Sequence, residues 1–202
     1  MLKSPKNLGV IHFIGIGGVG MSGIAEVLFQ SGYQVKGSDI TESNNTIRLR
    51  KLGIKVYIGQ KKSNILNAKI IVVSTAISER NDEYIAAKKI FLPVVHRSEM
   101  LGELMRLKQS IAIAGTHGKT TTTSLIAKII EENGMDPTII NGGIISSLGS
   151  NAKLGNGEWM IVEADESDGS FAKLNPTVAI ITNIDLEHLD YHKSEENLER
   201  AF

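Results

Sequence analysis

The stretch Gly9-Val10-Ile11-His12-Phe13-Ile14-Gly15-Ile16-Gly17-Gly18-Val19-Gly20 decides the reading of the fold. Its first half is a short apolar run rich in Ile and Val, which reads as a strand. Its second half fits G-x-G-x-x-G. Met21 to Gln30 then carries Ile24, Val27 and Leu28 at helical spacing. Strand, glycine turn and helix form the context in which this pattern binds phosphate. Gly15 allows the tight turn, Gly17 lets backbone approach a phosphate, and Gly20 lets the helix pack closely on the strand. The N–H groups at the helix start favour an anion. Asp39 ends the next strand, where a ribose hydroxyl contact is expected. These residues fit a nicotinamide or flavin site, the pyrophosphate of a UDP-sugar, or a glycine turn with no ligand.

Working outward, strands are expected at Tyr33 to Gly37, Lys55 to Ile58, Ile70 to Ser74 and Leu92 to Val95. Helices are expected over 44–52, with Gly53 ending it, over 81–90, and over Arg97 to Leu107 with Met100, Leu101, Leu104 and Met105 on one face. The pattern then restarts. Ser110 to Ala114 is a strand, and a helix from about Lys119 to Glu132 turns Leu125, Ile126, Ile129 and Ile130 inward. Strands follow at Thr138 to Ile140, Trp159 to Glu163 and Val178 to Thr182. A last helix starts at the cap Ser194, with Leu198, Ala201 and Phe202 on one face. Alternating strands and helices imply parallel sheets with right-handed crossovers. The fold class is therefore α/β, with a Rossmann-like parallel-sheet domain over 1–107. A truncated P-loop mononucleotide-binding α/β domain follows over 108–202. The short second sheet and short final helix suggest a piece of a longer protein. The alternative is a small domain with a ragged end.

The second glycine loop is Gly115-Thr116-His117-Gly118-Lys119-Thr120-Thr121. The full pattern G-x-x-x-x-G-K-(S/T) needs Gly at 113, where Ile113 stands, but its Gly-Lys-Thr end is intact. Backbone N–H groups would cradle phosphates, Lys119 would neutralise β/γ oxygens, and the Thr120 hydroxyl would reach Mg²⁺. Four threonines in a row, Thr120 to Thr123, are poor helix formers and point to a need for hydroxyls. A mononucleotide site also needs a metal-binding acid from a neighbouring strand end. Glu163-Ala164-Asp165-Glu166-Ser167-Asp168 supplies four carboxylates there. Asn183-Ile184-Asp185-Leu186-Glu187-His188-Leu189-Asp190 follows the next strand. Both segments lie at C-terminal strand ends, on the rim of the phosphate loop. His188 is then a metal ligand rather than a surface salt-bridge partner. His12, His96 and His192 have no such support.

Composition narrows the classes. Lys+Arg and Asp+Glu balance at 22 each, so there is no basic excess for nucleic-acid binding. There is no Cys, which excludes disulfides, thiolate zinc sites and Cys nucleophiles. Apolar runs fall far short of the roughly 20 residues of a membrane span. Met1-Leu2-Lys3-Ser4-Pro5-Lys6 lacks the apolar core of a signal peptide, so a cytoplasmic protein is expected. Oligomeric state leaves no sign in the sequence.

Gly-Thr-His-Gly-Lys-Thr-Thr-Thr-Thr (115–123), Glu-Ala-Asp-Glu-Ser-Asp (163–168) and Thr-Asn-Ile-Asp-Leu-Glu-His-Leu-Asp (182–190) resemble the Mur ligase family. His-Phe-Ile-Gly-Ile-Gly-Gly-Val-Gly-Met-Ser-Gly-Ile-Ala-Glu (12–26) resembles its member that adds L-alanine. Gly37-Ser38-Asp39, Arg97-Ser98-Glu99-Met100-Leu101 and Asn141-Gly142-Gly143 extend the resemblance over essentially the whole chain. It implies a UDP-binding domain, a central ATPase domain and a third domain. It also implies ATP-driven, ADP-forming ligation of L-alanine to the muramyl carboxylate of UDP-N-acetylmuramate, in peptidoglycan precursor synthesis. By the resemblance Gly15, Gly17, Gly18, Val19, Gly20, Met21, Ser38, Asp39 and Ser74 face the UDP-sugar. Gly115, Thr116, His117, Gly118, Lys119, Thr120 and Thr121 hold ATP. Thr120, Glu163 and His188 hold Mg²⁺, and Lys119, Glu163 and His188 are catalytic. Asp165, Glu166 and Asp168 match the motif without an assigned role.

Overall fold

The computed structural model describes residues 8–145, 149–167 and 169–202; the N-terminal Met1 to Lys6 and Asp168 lie outside them. The chain divides into two compact units, Met1–Met100 and Leu101–Phe202. Each is built on its own five-stranded sheet.

In the first unit the strands are β1 (Val10–Ile14), β2 (Gln34–Asp39), β3 (Lys55–Ile58), β4 (Ala68–Val73) and β5 (Val94–His96). Their spatial order is β3-β2-β1-β4-β5, and every pairing is parallel. The chain builds outward from β1 in one direction through β2 and β3, then in the other through β4 and β5. The C-terminal ends of β1 and β4 thus flank the point where a parallel α/β sheet binds its ligand. Ile11, His12, Phe13 and Ile14 are all fully buried, because helices cover both faces of a parallel sheet.

Helix α1 (Val19–Gln30) follows the glycine loop and buries Ile24, Val27 and Leu28 as expected. It stops at Ser31 and Gly32, whose φ of 89° only glycine adopts without strain. Helix α2 (Asn44–Lys51) opens on a capping box in which Ser43 and Thr46 satisfy each other's backbone N–H, and Gly53 ends it. Helix α3 (Asp82–Lys89) is capped by Asn81, whose side chain accepts from the N–H groups of Glu83 and Tyr84. A 3₁₀ turn at Lys62–Ile65 was not foreseen. Helix α4 (Arg97–Met105) buries Met100, Leu101, Leu104 and Met105.

The second unit carries β6 (Gln109–Ala114), β7 (Thr138–Ile145), β8 (Ser150–Lys153), β9 (Trp159–Glu163) and β10 (Val178–Ile181), in the order β10-β6-β9-β7-β8. All pairings are parallel except β7 with β8. That hairpin strand escaped sequence reasoning because Ser150-Asn151-Ala152 has no apolar alternation, although all three are buried. β7 also runs past the expected Ile140, through Asn141-Gly142-Gly143.

Helix α5 (Lys119–Glu132) has the expected limits but not the expected face. Ile126 and Ile130 pack with Ala127 against Ile113, Ile139 and Ile161. Leu125 and Ile129 are instead 60% and 62% exposed. The small buried Thr123 and Ala127 draw the inward stripe away from the 125/129 row. Two short helices end the described chain, α6 (Leu189–His192) and α7 (Glu195–Ala201). Ser194 caps α7 through the Asn197 N–H, Leu198 is buried, and the Phe202 ring lies 4.8 Å from that of Phe171.

Candidate functional sites

The first rim is assembled by hydrogen bonds between the glycine loop and the end of β2. Gly15, with φ of 80°, turns the chain out of β1. The Ser38 carbonyl accepts from the N–H groups of Gly15 and Ile16 at 2.8 and 2.9 Å. The Gly17 N–H donates to the Asp39 carboxylate at 2.8 Å, and Asn45 donates to the Gly17 carbonyl at 2.8 Å. A Cβ on Gly17 would stand 2.8 Å from both Asp39 and Thr46. Packing on β2 and α2 by itself therefore requires glycine at this position. A Cβ on Gly20 would stand 2.8 Å from the Arg97 guanidinium. That glycine makes room for Arg97 rather than for a strand. Among the described residues no side chain caps α1, so its positive end stays available to an anion.

Asp39 already holds Gly17, and its other oxygen takes the Thr41 N–H at 3.4 Å. Met21 is buried, so only its backbone can face a ligand, whereas Val19 is exposed. Ser74 stands at the end of β4, half-buried, and its carbonyl accepts from the Ile77 N–H. The Ser38 hydroxyl turns inward and donates to Glu83 at 2.6 Å.

Glu83 is the residue that sequence reasoning missed on this side. Its carboxylate is fully buried and accepts four hydrogen bonds. Oε2 takes His12 Nε2 at 2.8 Å and Ser38 Oγ at 2.6 Å; Oε1 takes the Lys61 N–H at 3.1 Å and Asn64 Nδ2 at 2.6 Å. Burial alone would raise its pKa. The hydrogen bonds from His12 and Ser38, the charge of His12 and the bond from Asn64 together hold it below the ordinary carboxylate value. One carboxylate thus ties β1, β2, the 3₁₀ turn and α3 together. Glu83 sits in the first turn of an ordinary helix, 71 residues from His12, so no local pattern announces it.

The second rim is held by the segment after β10. The Thr116 N–H donates to the Asn183 carbonyl at 3.1 Å, and the Asp185 N–H donates to Thr116 Oγ at 2.9 Å. The His117 N–H donates to Asn183 Oδ1 at 2.9 Å, while its carbonyl accepts from Thr182 Oγ at 2.7 Å. The His117 ring faces Asp185 and Glu187 at 3.5 and 3.9 Å. Gly115 has φ of 123°, and a Cβ there would lie 2.2 Å from Thr182 Oγ. Gly118, with φ of 79°, starts α5.

Lys119 Nζ donates to the Gly115 carbonyl at 2.6 Å, the Thr116 carbonyl at 3.1 Å and Glu166 Oε1 at 2.9 Å. Thr120 Oγ donates to Glu163 Oε2 at 2.8 Å, and the Gly142 N–H donates to the same oxygen at 2.9 Å. Thr120 and Glu163 are thus brought together. His188, with φ of 55°, stands 3.5 Å from Glu166 rather than on Glu163. The His192 ring, given no role above, bonds the Glu166 carbonyl at 3.0 Å. Asp165 accepts the Ser167 N–H at 3.0 Å, and Thr121 is exposed. Among the described residues no group of three His, Asp or Glu side chains stands close enough to hold a metal ion. A hard cation such as Mg²⁺ does not need one. It binds through one or two carboxylates and keeps water and phosphate oxygens as its other ligands. The Thr120 hydroxyl and the Glu163 carboxylate fit that requirement.

Two family models match successive parts of the chain. "Mur ligase family, catalytic domain" covers residues 10–109, and "Mur ligase middle domain" covers residues 113–202. The chain belongs to the Mur ligase family. It is 61% identical over 202 residues to the UDP-N-acetylmuramate–L-alanine ligase of Parvibaculum lavamentivorans, spanning 41% of that protein. It is 60% identical to the same-named protein of Methylocella silvestris, spanning 43% of it. Among solved structures it resembles the UDP-N-acetylmuramate–alanine ligase of Thermotoga maritima, with a TM-score of 0.90 and 34% identity. That match covers 96% of this chain and 46% of the other. The chain therefore spans about two fifths of the length of the curated relatives it matches.

Proposed function

We propose that the chain carries the UDP-sugar-binding domain (1–107) and the first part of the ATPase domain (108–202) of an ADP-forming ligase. That ligase joins L-alanine to the muramyl carboxylate of UDP-N-acetylmuramate, a cytoplasmic step of peptidoglycan precursor synthesis. One observation carries the ATPase reading: Lys119 and the Thr120–Glu163 pair share one strand rim, one beside the phosphate loop's carbonyls and the other at an adjacent strand end. The names of the relatives supply the substrates. Among the described residues no helix is long and apolar enough to cross a membrane.

An anionic carboxylate must approach an anionic phosphate, so the chemistry is a problem of charge. The Lys119 ammonium, half enclosed by its own loop, is placed to take phosphate oxygens. Thr120 and Glu163 would hold Mg²⁺, while His188 stands 3.5 Å from Glu166. ATP bound there would pass its γ-phosphoryl group to the muramyl carboxylate and leave as ADP; the amine of L-alanine would then attack the acyl carbon of the acyl phosphate, forming the amide and expelling phosphate with loss of the amine proton. The uncapped start of α1 receives the UDP pyrophosphate. The nicotinamide reading of the first loop leaves the whole second rim without a role.

The test is phosphate release by the full-length protein. Release that requires both UDP-N-acetylmuramate and L-alanine supports the assignment. Release independent of the amino acid, or NAD reduction in its place, overturns it.

A further inference from the structure

Lys119 has three N–H donors, and all three are given: two to carbonyls of its own loop and one to Glu166. A phosphate oxygen needs one of them. The two carbonyls belong to the loop that would cradle the phosphate, so they stay. The carboxylate is the partner that carries the same charge as the phosphate, from a different strand end. Glu166 is also unusual in its surroundings. It is 1% exposed, and its second oxygen, Oε2, is buried with no hydrogen-bond partner among the described residues. Among the described residues the one other basic side chain within ion-pair distance is the His188 ring, 3.5 Å from Oε1, the oxygen that Lys119 also holds. A buried carboxylate that loses its one close cation is costly.

We propose that Glu166 competes with a nucleotide phosphate for Lys119, and thereby makes nucleotide binding depend on a divalent cation. Resting on the ATP reading of this rim, the proposal adds a residue and a coupling to it. When a phosphate takes the Lys119 donor, the Glu166 carboxylate is left buried without its ammonium partner. A divalent ion held beside Thr120 and Glu163 offsets that cost. Without one, the phosphate and the carboxylate share a single ammonium. The device keeps Lys119 neutralised inside the protein until metal and nucleotide arrive together.

The test is calorimetric titration of ATP into the full-length protein, in EDTA and in MgCl₂, which reads binding rather than turnover. Glu166→Gln keeps the side-chain shape and removes the charge. It should bind ATP about tenfold or more tightly than wild type in EDTA, the scale of one hydrogen bond to a charged group. Its gain from Mg²⁺ should shrink by the same factor. Equal or weaker metal-free binding by Glu166→Gln overturns the proposal. Glu166→Asp, one methylene shorter, retracts the carboxylate from Lys119. If Glu166→Gln loses its thermal transition, this variant decides: metal-free affinity above wild type supports the proposal, and affinity at or below wild type overturns it. Wild type that binds no ATP even with Mg²⁺ overturns the ATP reading itself, and the proposal with it. The wild-type arm alone shows that outcome.

Discussion

Removing the Glu83 carboxylate should cripple the first unit without touching the second. The side chain is fully buried and satisfies four donors on three other segments: His12, Ser38, Lys61 and Asn64. Glu83→Ala strips the partner from all four and opens a void. Breaking a buried, paired charge in this way costs about 3–5 kcal/mol. In a unit of this size each kcal/mol moves the melting temperature by roughly 4–8 °C, so the transition should fall by more than about 10 °C. Glu83→Gln is milder. Its amide oxygen keeps one pair of donors, while its NH₂ faces the other pair, for a loss of about 1–3 kcal/mol. The pH dependence has a definite sign. The folded carboxyl titrates below its ordinary value, so the unfolded chain binds the proton more readily in acid. The stability from Glu83 is complete above the unfolded value and is lost as pH falls through the folded one. The Gln variant's deficit should be full at pH 7 and shrink once pH drops below about 4.3. Circular dichroism melts of both chains from pH 7 to pH 3 measure this. Melts within about 1 °C of each other at pH 7, or a deficit that does not change with pH, would refute the account of the network.

Lys119→Ala should abolish ATP binding and turnover in the full-length protein yet leave UDP-sugar affinity unchanged; equal loss of both would mean that the fold is damaged. Gly142→Ala places a Cβ 2.3 Å from the Glu163 carboxylate and should drive it off Thr120. If Glu163 holds Mg²⁺ as proposed, misplacing its carboxylate should weaken Mg²⁺-dependent ATP binding about tenfold, and a near-normal melting temperature would separate that from unfolding. Gly37→Ala puts a Cβ 2.7 Å from the Phe13 carbonyl and 2.6 Å from Ile16. Backbone cannot yield there, so a loss of about 1–3 kcal/mol is expected in a urea melt.

Both glycine loops, the parallel sheets and the limits of α5 were legible because strand, loop and helix follow one another locally. Ser194 also announces its helix, since a cap acts within three residues, whereas the caps Ser43 and Asn81 emerge only with the structure. What stayed hidden is non-local or polar. β8 buries Ser150 and Asn151, which read as loop residues. The outward turn of Leu125 and Ile129 depends on which small residues the sheet accepts, and periodicity alone offers two adjacent stripes. Gly17 and Gly20 fit the motif, but what each would strike, Asp39 and Thr46 or Arg97, lies far along the chain. Glu166 was quoted as one acid in a row of four, and only the geometry shows it on Lys119.

The most direct test of the central claim is calorimetric titration of this chain with UDP-N-acetylmuramate, with NAD as the parallel ligand. The account predicts binding of the UDP-sugar and none of NAD. Binding of NAD alone would contradict it and return the first glycine loop to the nicotinamide reading.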